Sequence, residues 1–236
     1  LRGFTAMSER MEAGDLLTML NHYLGEMTEE IQKYNGTIIE FIGDGIMAIF
    51  GAPAPSESHA ADAIAAAIQM QNRMKEINRW NAERGYPMLE MGIGLNTGEV
   101  IVGNIGSEKR TKYGVVGSQV NLCGRIESYT VGGQILISPL TREMAGTDLE
   151  IAQEMEVFPK GVKEALVLSH VTGIGEPFNF SCAEEDDVFQ PLDKQRDGEF
   201  VLILAGAEPE IEEAPSEEDA AGYLARLIAS GLSRKH

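Results

Sequence analysis

The sequence has few positive charges and no long apolar run, and each shortage excludes a class of protein. Its 19 lysines and arginines face 37 aspartates and glutamates, which gives a net charge of −18. A nucleic-acid groove and an anionic membrane surface both attract cationic proteins, so neither is an expected partner. Because no run of about 18 apolar residues is present, we expect no segment of this sequence to span a membrane.

Cysteines and aromatic residues are also scarce. The two cysteines, Cys123 and Cys182, lie far apart and match no metal-ligand spacing. We therefore expect free thiols and a reducing, cytoplasmic location. The hydrophobic fraction of 43% is that of an ordinary globular protein. With 236 residues, the chain can form one domain with a sizeable core and an extension.

The spacing of the apolar residues predicts a mixture of helices and strands. Helices are predicted at 6–35, 59–83, 118–129 and 139–146 from a period of three to four residues. Strands are predicted at 37–42, 46–50, 88–95, 99–105, 113–116, 134–138, 151–158 and 165–173, with a turn at 96–98 and a polar loop at 106–112. Tight hairpins require antiparallel pairs, so we expect an α+β fold with an antiparallel-rich sheet and helices packed on one face.

The composition changes after about residue 175. Acidic runs at 184–187 and 208–218 accompany one predicted strand at 200–204 and one predicted helix at about 217–230. Dense charge of one sign is typical of solvated linkers. We therefore divide the chain into a folded domain, residues 1–175, and an acidic extension, residues 176–236. Its strand and helix either pack onto the folded domain or begin a second small one.

Three groups of residues could carry chemistry, although each is a weak signal alone. Asp44 lies between two glycines at a predicted hairpin tip, where aspartate is also a common turn residue. Asn121 and Arg125 are four residues apart and share one face of a predicted helix, where an amide beside a guanidinium suits a sugar next to a phosphate. Gly3, Phe4 and Thr5 directly precede a predicted helix, whose first N–H groups favour anions.

Taken together, four collinear motifs resemble the catalytic domain of class III adenylyl/guanylyl cyclases. The motifs are Leu-Arg-Gly-Phe-Thr at 1–5 and the segments at 41–51, 92–106 and 117–128. The resemblance extends to about Gly175 and implies a ferredoxin-like palm, βαββαβ with additions, in a head-to-tail homodimer with composite active sites. It implies conversion of a purine nucleoside triphosphate to the 3′,5′-cyclic nucleotide and pyrophosphate, for intracellular signalling.

The resemblance also implies that two carboxylates of one protomer hold two divalent cations, Mg²⁺ or Mn²⁺. Such cations suit an acidic protein that must bind a triphosphate, since they shield its charge and lower the pKa of the 3′-hydroxyl. Asp44 matches the second carboxylate, and Leu1 matches the position whose backbone carbonyl also contacts metal. The first carboxylate would directly precede Leu1 and is absent from this sequence.

Other positions match substrate-binding residues of the family. Gly3-Phe4-Thr5 matches the turn that cradles the β- and γ-phosphates, and Lys160 matches, more loosely, a lysine that reaches the terminal phosphates. The partner protomer would supply the last two residues, with Asn121 orienting the ribose and Arg125 stabilising charge on the α-phosphoryl group.

Glu40 and Gly114 match the positions that contact the purine base. Adenine-specific members have Lys where Glu40 stands and Asp or Thr where Gly114 stands, whereas guanine-specific members often have Glu at the first position. An ionised carboxylate only accepts hydrogen bonds, so Glu40 suits the N1–H and 2-amino groups of guanine and repels N1 of adenine. Gly114 has no side chain to discriminate with, so the sequence favours GTP slightly and leaves ATP open.

Alternatives follow from what is absent. Without the first carboxylate, the chain could be a nucleotide-binding or regulatory module that has no turnover. A diguanylate cyclase shares the palm, but its Gly-Gly-Asp/Glu-Glu-Phe turn is not in this sequence. A palm polymerase needs a basic template channel, which a charge of −18 does not suggest. Family members usually follow a sensor or transmembrane module, so we expect such a module upstream.

Overall fold

The computed structural model describes residues 1–107, 109–159 and 164–182, and the backbone of one further strand at 202–206. Lys160 and the predicted helix at 217–230 lie outside the described residues. Within them, no helix is long and apolar enough to cross a membrane.

Five helices and ten strands alternate along the described chain. The helices are α1 (Phe4–Ser8), α2 (Ala13–Lys33), α3 (His59–Ala82), α4 (Ser118–Ser128) and α5 (Pro139–Met144). The strands are β1 (Thr37–Ile42), β2 (Gly45–Phe50), β3 (Ile93–Gly98), β4 (Ile101–Ser107), β5 (Arg110–Val116), β6 (Ile135–Ile137), β7 (Leu149–Val157), β8 (Leu166–Ile174), β9 (Phe180–Ser181) and β10 (Leu202–Gly206).

The strands form one main sheet and one separate hairpin. The order in the main sheet is β1-β2-β10-β3-β6-β8-β7, with β9 paired to β8, while β4 and β5 pair only with each other. β10 runs parallel to both β2 and β3, and β3 runs parallel to β6, whereas every other pair is antiparallel. The predicted α+β class and antiparallel-rich sheet are confirmed. The predicted strand of the acidic extension joins this sheet, which is one of the two placements left open.

Four predicted elements differ from the observed ones. One is the strand expected at 88–95, of which only residues 93–95 belong to β3. The single helix expected at 6–35 is two helices, because the backbone of Glu12 is extended (φ −63°, ψ 138°) just before α2. The apolar periodicity passes over this break because α1 and α2 pack against the same core. The polar loop expected at 106–112 is the end of a β-hairpin, in which Gly106 pairs with Thr111. The turn expected at 96–98 is part of β3, where Asn96 and Thr97 are buried.

The main core lies between the sheet and the helices α2 and α3. Apolar residues from both helices and from β2, β3 and β6 fill it, and each fully buried Ile or Met contributes about 2 kcal/mol. α5 packs on the same face, where the Thr97 and Thr141 hydroxyls are 3.0 Å apart. α4 is the exception to the expected one-sided packing. It covers the opposite face of β3 so closely that a Cβ on Gly94 would lie 2.5 Å from the backbone nitrogen of Glu127.

Candidate active site

Asp44 lies in the tight turn between β1 and β2, where Gly43 has a positive φ of 60°. Its carboxylate is fully buried, and the amino nitrogen of Leu1 is 2.5 Å from Oδ2. Apart from this contact with Leu1, neither carboxylate oxygen has a polar partner in the described part of the chain. A buried carboxylate with so few donors is unfavourable unless positive charge lies beside it. Asp44 and the main chain at Leu1 therefore fit a site for a hard divalent cation, which prefers oxygen ligands.

The described residues supply only part of such a cation site. Among them, no group of three or more His, Cys, Asp or Glu side chains is arranged to hold a metal ion. In the sequence motif, the other carboxylate would directly precede Leu1.

The turn at residues 1–5 lies directly beside Asp44. Gly3 adopts the left-handed conformation (φ 70°, ψ 13°) at the start of α1, a conformation that residues with a side chain rarely adopt. Phe4 anchors the turn by packing against the core, while Gly3 and Thr5 are exposed. The first N–H groups of a helix have no intrahelical acceptors, so this turn presents donors to solvent beside the buried carboxylate.

Asn121 and Arg125 lie on the outer side of α4, as the spacing predicted. Asn121 is exposed and Arg125 is half-buried. The described residues contain no hydrogen bond or ion pair that joins either side chain to Asp44 or to the turn at residues 1–5. Within one chain, the structure therefore brings Leu1, Gly3–Thr5 and Asp44 together and leaves the α4 pair separate from them.

Glu40 is paired with a residue that the sequence prediction missed. Lys112 Nζ on β5 is 2.6 Å from Glu40 Oε1 on β1, and both side chains are about half exposed. Lys112 was placed in a polar loop, yet it lies two residues before Gly114 and so on the same face of β5. Gly114 is buried, and a Cβ there would lie 3.0 Å from Ile105 Cδ1. Alternate residues of a strand lie on the same face, so extending the predicted strand back from Gly114 could have identified Lys112 as a neighbour of the base-contacting positions.

A second contact that the sequence did not predict joins the N-terminal turn to α4. Arg2 Nη2 donates to Glu127 Oε1 at 2.7 Å and to the Glu127 carbonyl at 3.2 Å, and it also donates to Thr130 Oγ1. Burial raises the pKa of Glu127 to about 7, against its ordinary 4.5, although the positive charges of Arg2 and the Leu1 amino group lower it. Its position two residues after Arg125 on a helix would suggest a surface ion pair between the two. Glu127 is instead buried and paired with Arg2.

Tyr23 on α2 lies in the same electrostatic environment. Burial raises the pKa of its hydroxyl far above the ordinary value, and the negative charges of Asp44 and Glu127 raise it further. The hydroxyl stays protonated and donates to Met91 Sδ at 3.2 Å. Asp44 and Glu127 are thus close enough to influence one buried group on the helix that packs beneath them.

The chain is similar to known nucleotide cyclases. The family model of the adenylate and guanylate cyclase catalytic domain matches residues 1–170. Among solved structures, the guanylyl cyclase Cya2 is 52% identical, with a TM-score of 0.76, and the match covers 78% of this chain and 93% of that chain. The adenylyl cyclase CyaB from P. aeruginosa is 34% identical, with a TM-score of 0.66, over 73% of this chain and 89% of that one.

Curated relatives are longer proteins. An adenylate cyclase of Anabaena cylindrica is 36% identical over 144 residues, which are 58% of this chain and 28% of that protein. Adenylate cyclase 1 of Rhizobium meliloti is 28% identical over 178 residues, and this chain spans 27% of its length. The family model that matches residues 1–170 leads to one assignment. The chain belongs to the adenylate and guanylate cyclase catalytic domain family, the class III nucleotide cyclases, which use divalent metal ions.

Proposed function

We propose that this chain is a cyclase domain that converts a purine nucleoside triphosphate to the 3′,5′-cyclic nucleotide and pyrophosphate in a homodimer. The observation that carries the proposal is the buried Asp44 carboxylate, which has no polar partner among the described residues apart from the Leu1 nitrogen and lies beside the turn at residues 1–5. By the resemblance, we place the domain in the cytoplasm, downstream of a sensor or membrane module, where its product serves signalling.

Two divalent cations, Mg²⁺ or Mn²⁺, supply the chemistry of charge neutralisation and 3′-hydroxyl activation when they are bound. Asp44 and the Leu1 carbonyl are the residues of this chain that would hold such a cation. In the reaction, the bond from the 3′-oxygen to the α-phosphorus forms and the bond from the α-phosphorus to the bridging oxygen breaks. The 3′-hydroxyl loses its proton, and pyrophosphate leaves.

The chain's own groups bind and orient the substrate around that reaction. The N–H groups of Gly3–Thr5 bind the β- and γ-phosphates, which places the leaving group beside Asp44. Asn121 holds the ribose so that the 3′-oxygen faces the α-phosphorus. The planar guanidinium of Arg125 stabilises the negative charge that develops on the α-phosphoryl oxygens. Lys160, outside the described residues, is the proposed contact to the terminal phosphates.

A dimer accounts for the separation of these groups within one chain. Asn121 and Arg125 have no contact with Asp44 in the described chain, so we infer that each site takes its α4 pair from the partner protomer. Large apolar side chains also remain exposed on β1 and on the β4–β5 hairpin, beside Glu40 and Lys112. They are Phe41, Ile101, Ile105 and Val116. An exposed apolar surface of this kind fits an interface.

The base contacts favour GTP over ATP. Glu40 accepts hydrogen bonds from N1–H and the 2-amino group of guanine, while the ammonium of Lys112, 2.6 Å away, can donate to O6. Adenine has an acceptor at N1 and an amino group at position 6, so it mismatches both members of the pair. The solved guanylyl cyclase that is 52% identical supports the same preference.

The first test measures cyclic-nucleotide production from GTP and from ATP, side by side with Mn²⁺. The assay uses a polypeptide that carries an aspartate directly before Leu1. A higher kcat/KM for GTP supports the role of Glu40. A preference for ATP leaves the family unchanged and refutes the base argument.

A second test examines the composite site. An Asp44→Ala chain and an Asn121→Ala chain are mixed after each is shown to be inactive. Random pairing makes half of the dimers mixed, each with one intact site, so about a quarter of the unmutated activity should return. A mixture as inactive as its components would show that one site does not combine two chains.

A second candidate function is a nucleotide-binding module without turnover. It is favoured by the lack of a complete metal-ligand group among the described residues. The first assay separates the two functions, because a folded, dimeric sample that binds nucleotide and forms no product supports the regulatory module.

A further inference from the structure

The ion pair between Arg2 and Glu127 connects two parts of the molecule that are 125 residues apart in sequence. Arg2 belongs to the turn beside Asp44, and its backbone N–H donates to the Glu90 carbonyl at 2.8 Å. Glu127 lies in the last turn of α4, on the side that faces the sheet, and its side chain is 2% exposed. The contact therefore joins a fixed point on the N-terminal turn to the inner side of the helix that carries Asn121 and Arg125.

Arg2 also contacts the C-terminal end of α4 as a helix cap. One nitrogen of its guanidinium lies within hydrogen-bond distance of the carboxylate and the carbonyl of Glu127 and of the hydroxyl of Thr130, and these three acceptors share its two hydrogens. A cation at this end of a helix stabilises the unpaired carbonyls and the negative end of the helix dipole. α4 is only 11 residues long, so a tether at its last turn restrains the whole helix.

The local sequence leaves room for this contact at two glycines. A Cβ on Gly92 would overlap both Arg2 Nη2 and Thr130 Oγ1. A Cβ on Gly94 would lie 2.5 Å from the Glu127 nitrogen. Gly92, directly before β3, and Gly94, within β3, therefore both need to lack a side chain for the guanidinium and α4 to come this close.

We propose that Arg2 and Glu127 are positioning residues for the cyclase reaction, which fix α4, and with it Asn121 and Arg125, relative to the body of their own chain. The inference rests on the proposed function, in which Asn121 and Arg125 act in a site completed by the partner. Each chain contributes its N-terminal turn to one site of the dimer and its α4 to the other site. The ion pair of Arg2 and Glu127 therefore links the geometry of the two sites.

The mixed dimer isolates this role. In the mixture of Asp44→Ala and Asn121→Ala chains, the intact site takes its α4 pair from the Asp44→Ala chain and its N-terminal turn from the other. Glu127→Gln in the Asp44→Ala chain should lower kcat by about tenfold or more with KM nearly unchanged, because the reacting groups are misplaced while binding persists. The same change in the Asn121→Ala chain should have at most about a twofold effect, because the α4 of that chain is not in the intact site.

Arg2→Met tests the pair from its other end. In the Asp44→Ala chain the turn that carries Arg2 belongs to the inactive site, so a loss of kcat reports on α4 alone. The loss from the double variant Arg2→Met/Glu127→Gln should be no larger than the loss from either single change, because both remove one interaction. Additive losses would overturn the proposal.

The matched control is Glu154→Gln, which removes the carboxylate of another Arg–Glu pair, that of Arg142 on α5 and Glu154 on β7. It should leave kcat of the mixture unchanged within about twofold, since this pair does not touch α4. An equal loss from Glu154→Gln and Glu127→Gln would show a general effect of losing an ion pair and overturn the proposal. The proposal would also be overturned if Glu127→Gln lowered kcat equally in the Asp44→Ala chain and in the Asn121→Ala chain.

Hydrogen exchange of the α4 amides provides a readout that needs no activity. Glu127→Gln should speed exchange at residues 122–128, whose amides are paired within α4, by about tenfold, while the amides of α2 and α3 keep their protection and show that the fold is intact. Unchanged exchange in α4 overturns the positioning role even if the mixture recovers activity. If the reference mixture fails to recover, the two-chain site is wrong, and the exchange result alone decides whether Arg2 and Glu127 hold α4.

Discussion

Glu127 offers a quantitative test of how the buried side of α4 is built. Burial raises the pKa of its carboxyl to about 7, against 4.5 in an unfolded chain, even though Arg2 lies beside it. The folded protein therefore binds this proton more tightly than the unfolded one, so protonation of Glu127 stabilises the fold. That stabilisation is complete below pH 4.5 and is lost as the pH rises through 7.

The perturbation is Glu127→Gln, which keeps the shape of the side chain and removes its titration. A gap of about 2.5 between the two pKa values corresponds to about 3 kcal/mol in total. The unfolding free energy of the unmutated protein minus that of the variant should therefore fall by about 3 kcal/mol between pH 4.5 and pH 7.5. This difference between the two proteins should stay constant at higher pH, where the Glu127 carboxyl is ionised in both the folded and the unfolded state.

Urea denaturation of both proteins at a series of pH values, followed by circular dichroism, measures this difference. Subtracting the variant cancels the titration of every other group that the change does not touch. A difference that stays constant within about 1 kcal/mol would refute the argument that burial dominates at Glu127. A difference that increases with pH would show instead that the attraction of Arg2 outweighs the cost of burial, because the folded carboxyl would then have the lower pKa.

Two further predictions concern the packing of α4 and the choice of base. Gly94→Ala should destabilise the fold by about 1–3 kcal/mol, seen as a lower melting temperature, because the new Cβ would lie 2.5 Å from the Glu127 nitrogen; an unchanged melting temperature would mean that α4 can move away freely. Glu40→Lys should change the ratio of kcat/KM for GTP over ATP by at least about tenfold toward ATP, because it replaces an acceptor with a donor; steady-state kinetics with both nucleotides measure this ratio, and an unchanged ratio would separate Glu40 from base recognition.

The parts of the site that depend on local sequence could be predicted from it. Gly43-Asp44-Gly45 between two β-branched runs indicates a tight hairpin, and the structure places Asp44 at its tip. The four-residue spacing of Asn121 and Arg125 indicates one face of a helix, and both lie on the outer side of α4. Turns and helix faces are determined by neighbouring residues, so a single sequence contains the necessary information.

The contacts between distant segments could not be predicted in the same way. Periodicity around Arg2 and Glu127 gives no sign that they meet, because the pairing depends on where α4 crosses β3. The polar residues at 106–112 indicate exposure to solvent, and both a loop and a protruding hairpin are exposed. The sequence therefore did not identify this segment as a hairpin or Lys112 as the partner of Glu40. The position of β10 between β2 and β3 likewise depends on hydrogen bonds between strands that are far apart in sequence.

The distribution of charge around the site explains why cations belong to the proposed reaction. The chain carries a net charge of −18 and would repel a triphosphate on that ground alone. Arg2, the cationic side chain in the turn at residues 1–5, is engaged by the buried Glu127 and is therefore not available to the phosphates. Asp44 adds a further buried negative charge on the same side. In the proposed reaction, metal ions and a second chain's Arg125 supply the positive charge that balances Asp44 and the phosphates, so the proposed dimer and the proposed cations answer one electrostatic requirement.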